Sequence, residues 1–378
     1  MVVGSAVGHL LEIKAPEEFE VKRGKWTFNH LPVIPPHFDL SPLPKSEQKL
    51  KTLARLIKRK DVDRIINACD AGREGELIFR TIIQYTKAKQ PISRLWLQSM
   101  TPAAIRDAFD HLRTDADMAP LADAARCRSE ADWLVGINGT RAMTAFNSKE
   151  GGFFLTTVGR VQTPTLSIVV SREEQIRKFV AKSYFEVHAS FDAKAGPYGA
   201  RWVDPTFEKS EANPDARAER LWSEQQAQAI VARCQGKTAV IDEESKPSSQ
   251  AAPALFDLTS LQREANARFG FSAKNTLGLA QALYEKHKVL TYPRTDSKAL
   301  PEDYIPTVKT TLENLTGIQA FASAAQTILK EGWVKPNKRI FDNSKVSDHF
   351  AIIPTGQLPK SLSEPEHKLY ELVCRRFM

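Results

Sequence analysis

Residues Asp63–Tyr85 read DRIINACDAGREGELIFRTIIQY, and the parsing of this stretch decides the fold. Asp63–Cys69 has strand composition, Asp70-Ala71-Gly72 are turn formers, and Leu77–Tyr85 is an apolar helix. Strand, acidic loop and helix in that order predict a βα unit. Its loop falls at the carboxyl end of the strand, where open α/β sheets bind ligands. Working outward, Leu50, Leu53, Leu56 and Ile57 space a helix over Lys49–Arg59, and Arg94–Leu97 reads as a second strand. Thr101-Pro102 supplies an N-cap and a first-turn proline for a helix to about Leu112. This alternation predicts a parallel α/β sheet over roughly 1–110. The proline-rich stretch 27–48 is expected to be a surface loop crossing it.

Beyond that region, Leu121–Asn147 is largely helical, with Gly136 and Gly139 placed to break or kink it. Another helix is expected from about Thr163 to Lys178, with Leu166, Val169, Val170 and Ile176 on one face. Tyr184–Phe191 and Ala200–Val203 should pair across the Gly196-Pro197 turn. Ser223 and Gln226 suit a capping box for a helix to Cys234, and Thr238–Asp242 returns to strand. After the linker-like SKPSSQAAP, Thr259 and Gln262 suit a second capping box. Gly270 ends that helix and Ser272 starts the next, whose apolar face is Leu277, Ala280, Leu283 and Tyr284. Such a helix pair is common in DNA-binding domains and also generic.

A length of 378 residues suits about two to four domains. An apolar fraction of 42% excludes a mainly disordered, collagen-like or coiled-coil chain. No run approaches the ~18 apolar residues of a membrane span, and the opening MVVGSAVGHLL lacks the basic segment of a signal peptide. Cys69, Cys127, Cys234 and Cys374 lie far apart without zinc spacing, as reduced thiols of a cytoplasmic protein would. The 53 Lys+Arg exceed the 45 Asp+Glu by 8, which is compatible with a nucleic-acid partner without establishing one.

Four segments carry candidate chemistry. The acidic loop Asp70-Ala71-Gly72-Arg73-Glu74-Gly75-Glu76 offers carboxylates suited to Mg²⁺, the alternative being an acidic surface turn. In Thr291-Tyr292-Pro293-Arg294, the proline holds Tyr292 extended, and Arg294 suits a phosphate or a phenolate. A Tyr-Pro turn packed on the core is the plainer reading. Thr157-Val158-Gly159-Arg160-Val161-Gln162 precedes a helix start and suits phosphate contact, or is an ordinary helix entry. His349, within Asp348–Thr355 (DHFAIIPT), suits donation to a phosphate or a structural role.

Taken together, GHLLE (8–12), CDAGREGELIF (69–79), ADWLVGINGTRAMT (131–144), TVGRVQTPTL (157–166), LYEKHKVLTYPRTDS (283–297) and DHFAIIPT (348–355) resemble the type IA DNA topoisomerases. The likeness is greatest to the bacterial topoisomerase III branch, and the collinear set spans essentially the whole chain. It implies a multidomain α/β plus α+β fold. A toprim-like parallel α/β domain would occupy 1–112 and the first part of a helical DNA-binding domain 113–180. The first part of a β-rich arch would occupy 181–250, and a helical domain with the catalytic tyrosine 251–378. The resemblance makes Tyr292 the nucleophile, forming a 5′-phosphotyrosyl link without ATP. Arg294 would stabilise the transition state, His349 would bind the scissile phosphate, and Glu74 would do acid–base work. Asp70, Glu74 and Glu76 would hold Mg²⁺. Trp26, Trp133, Arg141, Arg294 and the strip Thr157, Val158, Gly159, Arg160, Val161 and Gln162 would contact DNA, the tryptophans by stacking on unpaired bases. Single-stranded DNA and supercoiled or catenated duplex are the implied partners of a monomer associated with the bacterial nucleoid.

Three departures qualify this. Gly72 stands where the family's D-x-D-x-E motif has its second acid, which implies a weaker or differently shared metal site with Glu76 as a possible substitute. The family's Glu-Lys-Pro-Ser strand is expected before residue 1, and its ring-closing return after Met378. A truncated chain that holds single strands without cleaving them is therefore the alternative. Another toprim enzyme, such as a primase, has no role for YPRTDS.

Overall fold

The βα unit is present in the computed structural model, which describes residues 1–16, 26–209, 211 and 213–378. Strand β1 (Leu11–Ile13) pairs antiparallel with β2 (Leu40–Pro42), Leu11 opposite Pro42. The stretch read as a crossing loop therefore contributes a short strand. It is also pinned, because Asn138 accepts from the Val33 amide at 2.5 Å and donates to the Val33 carbonyl at 2.9 Å. Helix α1 (Glu47–Ile57) buries Leu50 against Leu10, Leu11 and Ile82.

Strand β3 (Ile65–Asn67), helix α2 (Arg73–Thr86) and strand β4 (Ile92–Arg94) form the expected parallel crossover, Ile65 opposite Ile92, but β4 shares only Arg94 with the Arg94–Leu97 stretch expected to form it. Helix α2 starts four residues before its apolar pattern. Its first turn carries Glu74 and Glu76, acids that favour a helix N-terminus but hide its period. Helix α3 (Pro102–Asp110) is capped by Thr101, whose hydroxyl accepts from the Ala104 amide at 3.2 Å. Strand β5 (Arg113–Thr114) then adds to β4 antiparallel. The sheet order is β3-β4-β5, so the parallel pair carries an antiparallel edge.

Helix α4 (Asp115–Asn147) runs 33 residues through both glycines that were expected to interrupt it. A Cβ on Gly139 would meet the Val158 side chain at 2.8 Å, so the glycine serves a close approach and not a break. The chain divides into two compact units, Met1–Arg160 with Ala251–Met378, and Val161–Gln250.

The second unit holds α5 (Gln162–Arg177), the antiparallel pair β6 (His188–Ala193) and β7 (Gly196–Arg201), and α6 (Glu224–Cys234). The hairpin turns at Lys194 and Ala195, and Gly196-Pro197, expected as the turn, instead pairs with Asp192 and Ala193 at the start of β7. Three further details correct the sequence reading. Leu166, Val169, Val170 and Ile176 are exposed and do not form a buried face. Ser223 is the N-cap residue of α6 but its side chain makes no cap bond, so the box with Gln226 is not formed. Thr238–Asp242 has strand composition but no strand, because no neighbouring segment supplies a ladder.

In the first unit, α7 (Leu258–Phe269), α8 (Ala273–Glu285), α9 (Ile305–Leu315), α10 (Gln319–Lys330) and α11 (Glu364–Phe377) enclose the largest apolar core. Phe256, Leu261, Ala280, Leu283, Leu290 and Leu369 are wholly buried in it. The α7 capping box is Asp257 with Ser260, not Thr259 with Gln262, and Gln262 instead donates to the Ala273 carbonyl at 3.0 Å. Gly270 ends α7 at φ 69°, as predicted. All four cysteines are free, and no helix among the described residues is long and apolar enough to cross a membrane.

Candidate active site

The acidic loop is shaped from below by a buried ion network. Arg94, 1% exposed, donates to the carbonyls of Asn67 (3.0 Å) and Cys69 (2.7 Å) and to that of Asp70. Burial pulls its guanidinium below the ordinary range, and the Glu76 carboxylate opposes that. Glu76, 0% exposed, accepts from Asn67 at 3.0 Å and Arg80 at 2.7 Å, and lies 3.5 Å from Arg94 Nε. Arg80 also reaches Asp115 at 2.6 Å. This corrects the reading of Glu76 as a metal ligand. Its oxygens face cations inside the fold, because the helical period turns position 76 inward while Glu74 stays outward.

Gly75 matters for a different reason. A Cβ there would lie 2.8 Å from the Asp70 amide nitrogen and 3.0 Å from its carbonyl carbon. Gly75→Ala should therefore displace Asp70 and cost about 1–3 kcal/mol, as overpacking does. Thermal unfolding checks this, and an unchanged midpoint would show that the loop tolerates the methyl.

Above the network, Asp70 and Glu74 are exposed, and each meets a histidine from a distant segment. Glu74 Oε2 lies 3.1 Å from His9 Nε2, and Asp70 Oδ2 lies 3.8 Å from His349 Nε2. The His349 ring centroid is 4.3 Å from that of Tyr292, which also meets Tyr284 edge-on at 5.3 Å. Burial pushes the Tyr292 phenol up, and the Arg294 guanidinium opposes this. Arg294 itself is exposed, its Nε 3.4 Å from Gln281.

This convergence rests on backbone stitching between YPRTDS and DHFAIIPT. The Thr291 amide donates to the Ile353 carbonyl at 3.0 Å, and its hydroxyl donates to the Ala351 carbonyl at 3.0 Å. The Thr295 hydroxyl donates to the His349 carbonyl at 3.0 Å. The acidic loop's own segment is tied to the same region. Gln98 donates to the Val346 carbonyl at 2.9 Å, and Ser99 and Thr101 donate to Asp303 at 2.8 and 2.6 Å.

The residues expected to contact DNA form their own group along α4. Trp26 packs on Phe153 at 5.4 Å and lies under the Arg141 guanidinium at 5.3 Å, and Trp133 meets Phe38 at 5.9 Å. Val158 exchanges bonds with Thr140, its amide donating to that hydroxyl at 3.0 Å. Arg160 pairs with Asp132 at 2.6 Å. Thr157 and Arg160 are exposed, and Val158 and Gly159 are half-buried. Val161 and Gln162, also exposed, open the second unit.

Two residues at the site had no role in the sequence reading. His9 lies in GHLLE and Asp348 immediately precedes His349, so both sat inside motifs already quoted, but nothing local shows that they face the acidic loop. Among the described residues no three His, Cys, Asp or Glu side chains converge tightly enough to cage an ion. Mg²⁺ does not need a cage, since one or two carboxylates with water and phosphate oxygens hold it. The exposed Asp70 and half-buried Asp348 fit that requirement.

Comparison with known proteins identifies the family. A family profile described as Toprim domain matches residues 2–100, and one described as DNA topoisomerase matches residues 116–378. The chain is 41% identical over 381 aligned positions to DNA topoisomerase 3 of Bacillus licheniformis and 40% identical to that of Bacillus subtilis. In each case all of this chain aligns with 50% of the relative, so the chain spans about half the length of these curated relatives. The full-length topoisomerase I of Thermotoga maritima shares the fold, with a TM-score of 0.56 at 22% identity over 98% of this chain and 55% of that one. A Toprim domain is metal-dependent, consistent with the carboxylates of the acidic loop. With the DNA topoisomerase profile matching residues 116–378, most of the sequence, the chain belongs to the DNA topoisomerase family.

Proposed function

We propose that this chain cleaves and reseals single-stranded DNA through Tyr292, without ATP, so that another strand can pass through the protein-bridged gap. Relaxation of negative supercoils and decatenation follow from that cycle. The observation that carries the reading is the meeting of Tyr292, His349 and Asp70 (4.3 Å between rings, 3.8 Å from imidazole to carboxylate).

In the forward step Tyr292 Oη forms a bond to phosphorus, the bond from phosphorus to the 3′ oxygen breaks, and that oxygen takes a proton. Resealing is the reverse, so the energy of the broken bond stays in the phosphotyrosine. The phenol is held above its ordinary range, so it attacks from its neutral form and passes its proton to solvent water as the bond to phosphorus forms. Arg294 lowers the cost of the phenolate and of the charge on the phosphoryl oxygens. His349, beside the Tyr292 ring, donates to the phosphate. Glu74, bonded to His9, exchanges the proton with the 3′ oxygen. Mg²⁺, held by Asp70 with Glu74 beside it, would neutralise phosphate charge when bound.

Single-strand binding belongs to Trp26, Trp133, Arg141 and the strip from Thr157 to Gln162. Arg160→Ala should weaken binding and lower the slope of log affinity against log salt by about one. Fluorescence anisotropy across a salt series measures it, and an unaltered slope would remove Arg160 from the phosphate contacts. The function itself is tested by incubating end-labelled single-stranded DNA with the chain and Mg²⁺, then resolving covalent protein–DNA adducts under denaturing conditions. Complete absence of adduct would count against the reading.

A further inference from the structure

Gly72 is buried at the N-cap of α2 with extended backbone, φ −165° and ψ −174°. That conformation is open to any residue, so glycine is not there to satisfy a turn. It is there because the space is taken. A Cβ built on Gly72 would overlap the carboxylate group of Asp348, touching its Cγ and both oxygens. The position at which the type IA motif has its second acid thus lacks a side chain, and a carboxylate from a loop 276 residues further along stands in the vacated space.

Asp348 is well placed for that duty. It is half-buried, and the charged groups facing it are Asp70, Asp296, His349 and Arg73. Two carboxylates, Asp70 and Asp348, therefore approach one point at the mouth of the acidic loop. The charges of His349 and Arg73 work against that repulsion.

We propose that Asp348 replaces the missing motif acid in space, so that Asp70 and Asp348 together form the divalent-cation site. The proposal rests on reading the acidic loop as metal-binding, as in the function proposed above. It also has a structural consequence. In the usual motif both acids belong to one loop, whereas here one is Asp70 of the acidic loop and the other is Asp348, next to His349. The cation would then tie the Toprim segment to the segment that carries Tyr292, which otherwise meet through contacts such as Gln98 to Val346 and Thr101 to Asp303.

The test is Mn²⁺ binding to the full chain without DNA, followed by electron paramagnetic resonance of the free ion. Wild type should bind, and Asp348→Asn should bind at least about ten-fold more weakly while keeping its metal-free unfolding temperature. Gly72→Asp alone should not tighten binding, because its side chain collides with Asp348. Combining Gly72→Asp with Asp348→Gly should recover affinity to within about three-fold of wild type, since the carboxylate returns to the same space from the other segment. Equal affinity in Asp348→Asn and wild type would overturn the proposal, as would a double variant no better than Asp348→Asn. No DNA is present, so failure here counts against Asp348, whereas a missing phosphotyrosyl adduct counts against the functional reading.

Discussion

Tyr292→Phe should abolish the covalent adduct with single-stranded DNA, lowering it by at least about four orders of magnitude, as removal of a nucleophile does in other covalent catalysts. The substitution removes one oxygen and leaves the ring. The ring's packing against His349 (4.3 Å) and Tyr284 (5.3 Å) is thereby kept, so stability should change by no more than about 0.5 kcal/mol. Loss of adduct with an unaltered melt would assign the chemistry to the phenol. An adduct that survives would mean another nucleophile, and the assignment of Tyr292 would be wrong. Because burial holds the phenol above its usual range, its anion is scarce near neutrality, and the neighbouring Arg294 works in the opposite direction.

Glu76→Ala should have the largest effect on folding, a loss of about 3–5 kcal/mol, the cost of leaving a buried charge without its partner. Arg94 is the charge concerned. It is 1% exposed, and its other donors already hold the carbonyls of Asn67, Cys69 and Asp70. Removing Glu76 would strand Arg94 and half-free Arg80, and would loosen the loop that carries Asp70. Glu76→Gln keeps the shape and one acceptor, so it should lose less. Denaturant unfolding compares the two, and a loss under about 1 kcal/mol in the alanine variant would show that the network is not what holds the loop. Mn²⁺ affinity in Glu76→Gln separates this role from ligation, and it should be unchanged because both oxygens of the buried carboxylate are engaged by Asn67, Arg80 and Arg94.

The two variants also mark how much was readable beforehand. Strand, loop and helix around Asp70 were legible because strand and helix periods are local properties of a few residues. The start of α2 is not legible because its first turn is charged, and the α7 cap is ambiguous because Asp257 and Ser260 compete for that duty with Thr259 and Gln262. Glu74 and Glu76 look interchangeable in a string of letters. They differ only because one faces solvent and His9 while the other faces Arg80 and Arg94. Gly139 looked like a helix breaker, and only its neighbour Val158 shows it to be a point of close approach.

By itself, then, the sequence determined the βα unit, the paired helices before Tyr292, the lineage carried by six collinear motifs, and the chemical types available at the site. Each depends on short-range spacing or on residue identity. Only the tertiary structure decided that Asp70 meets His349 across 279 positions, that His9 pairs with Glu74, that Glu76 is sealed inside, and that Asp348 fills the space beside Gly72. Those are contacts between segments far apart in the chain, set by how the Thr291–Thr295 and Ala351–Ile353 backbones are stitched and by how Gln98 and Thr101 tie down the acidic loop's segment. No local period records such pairings, because they exist only once the core around α7–α11 has packed.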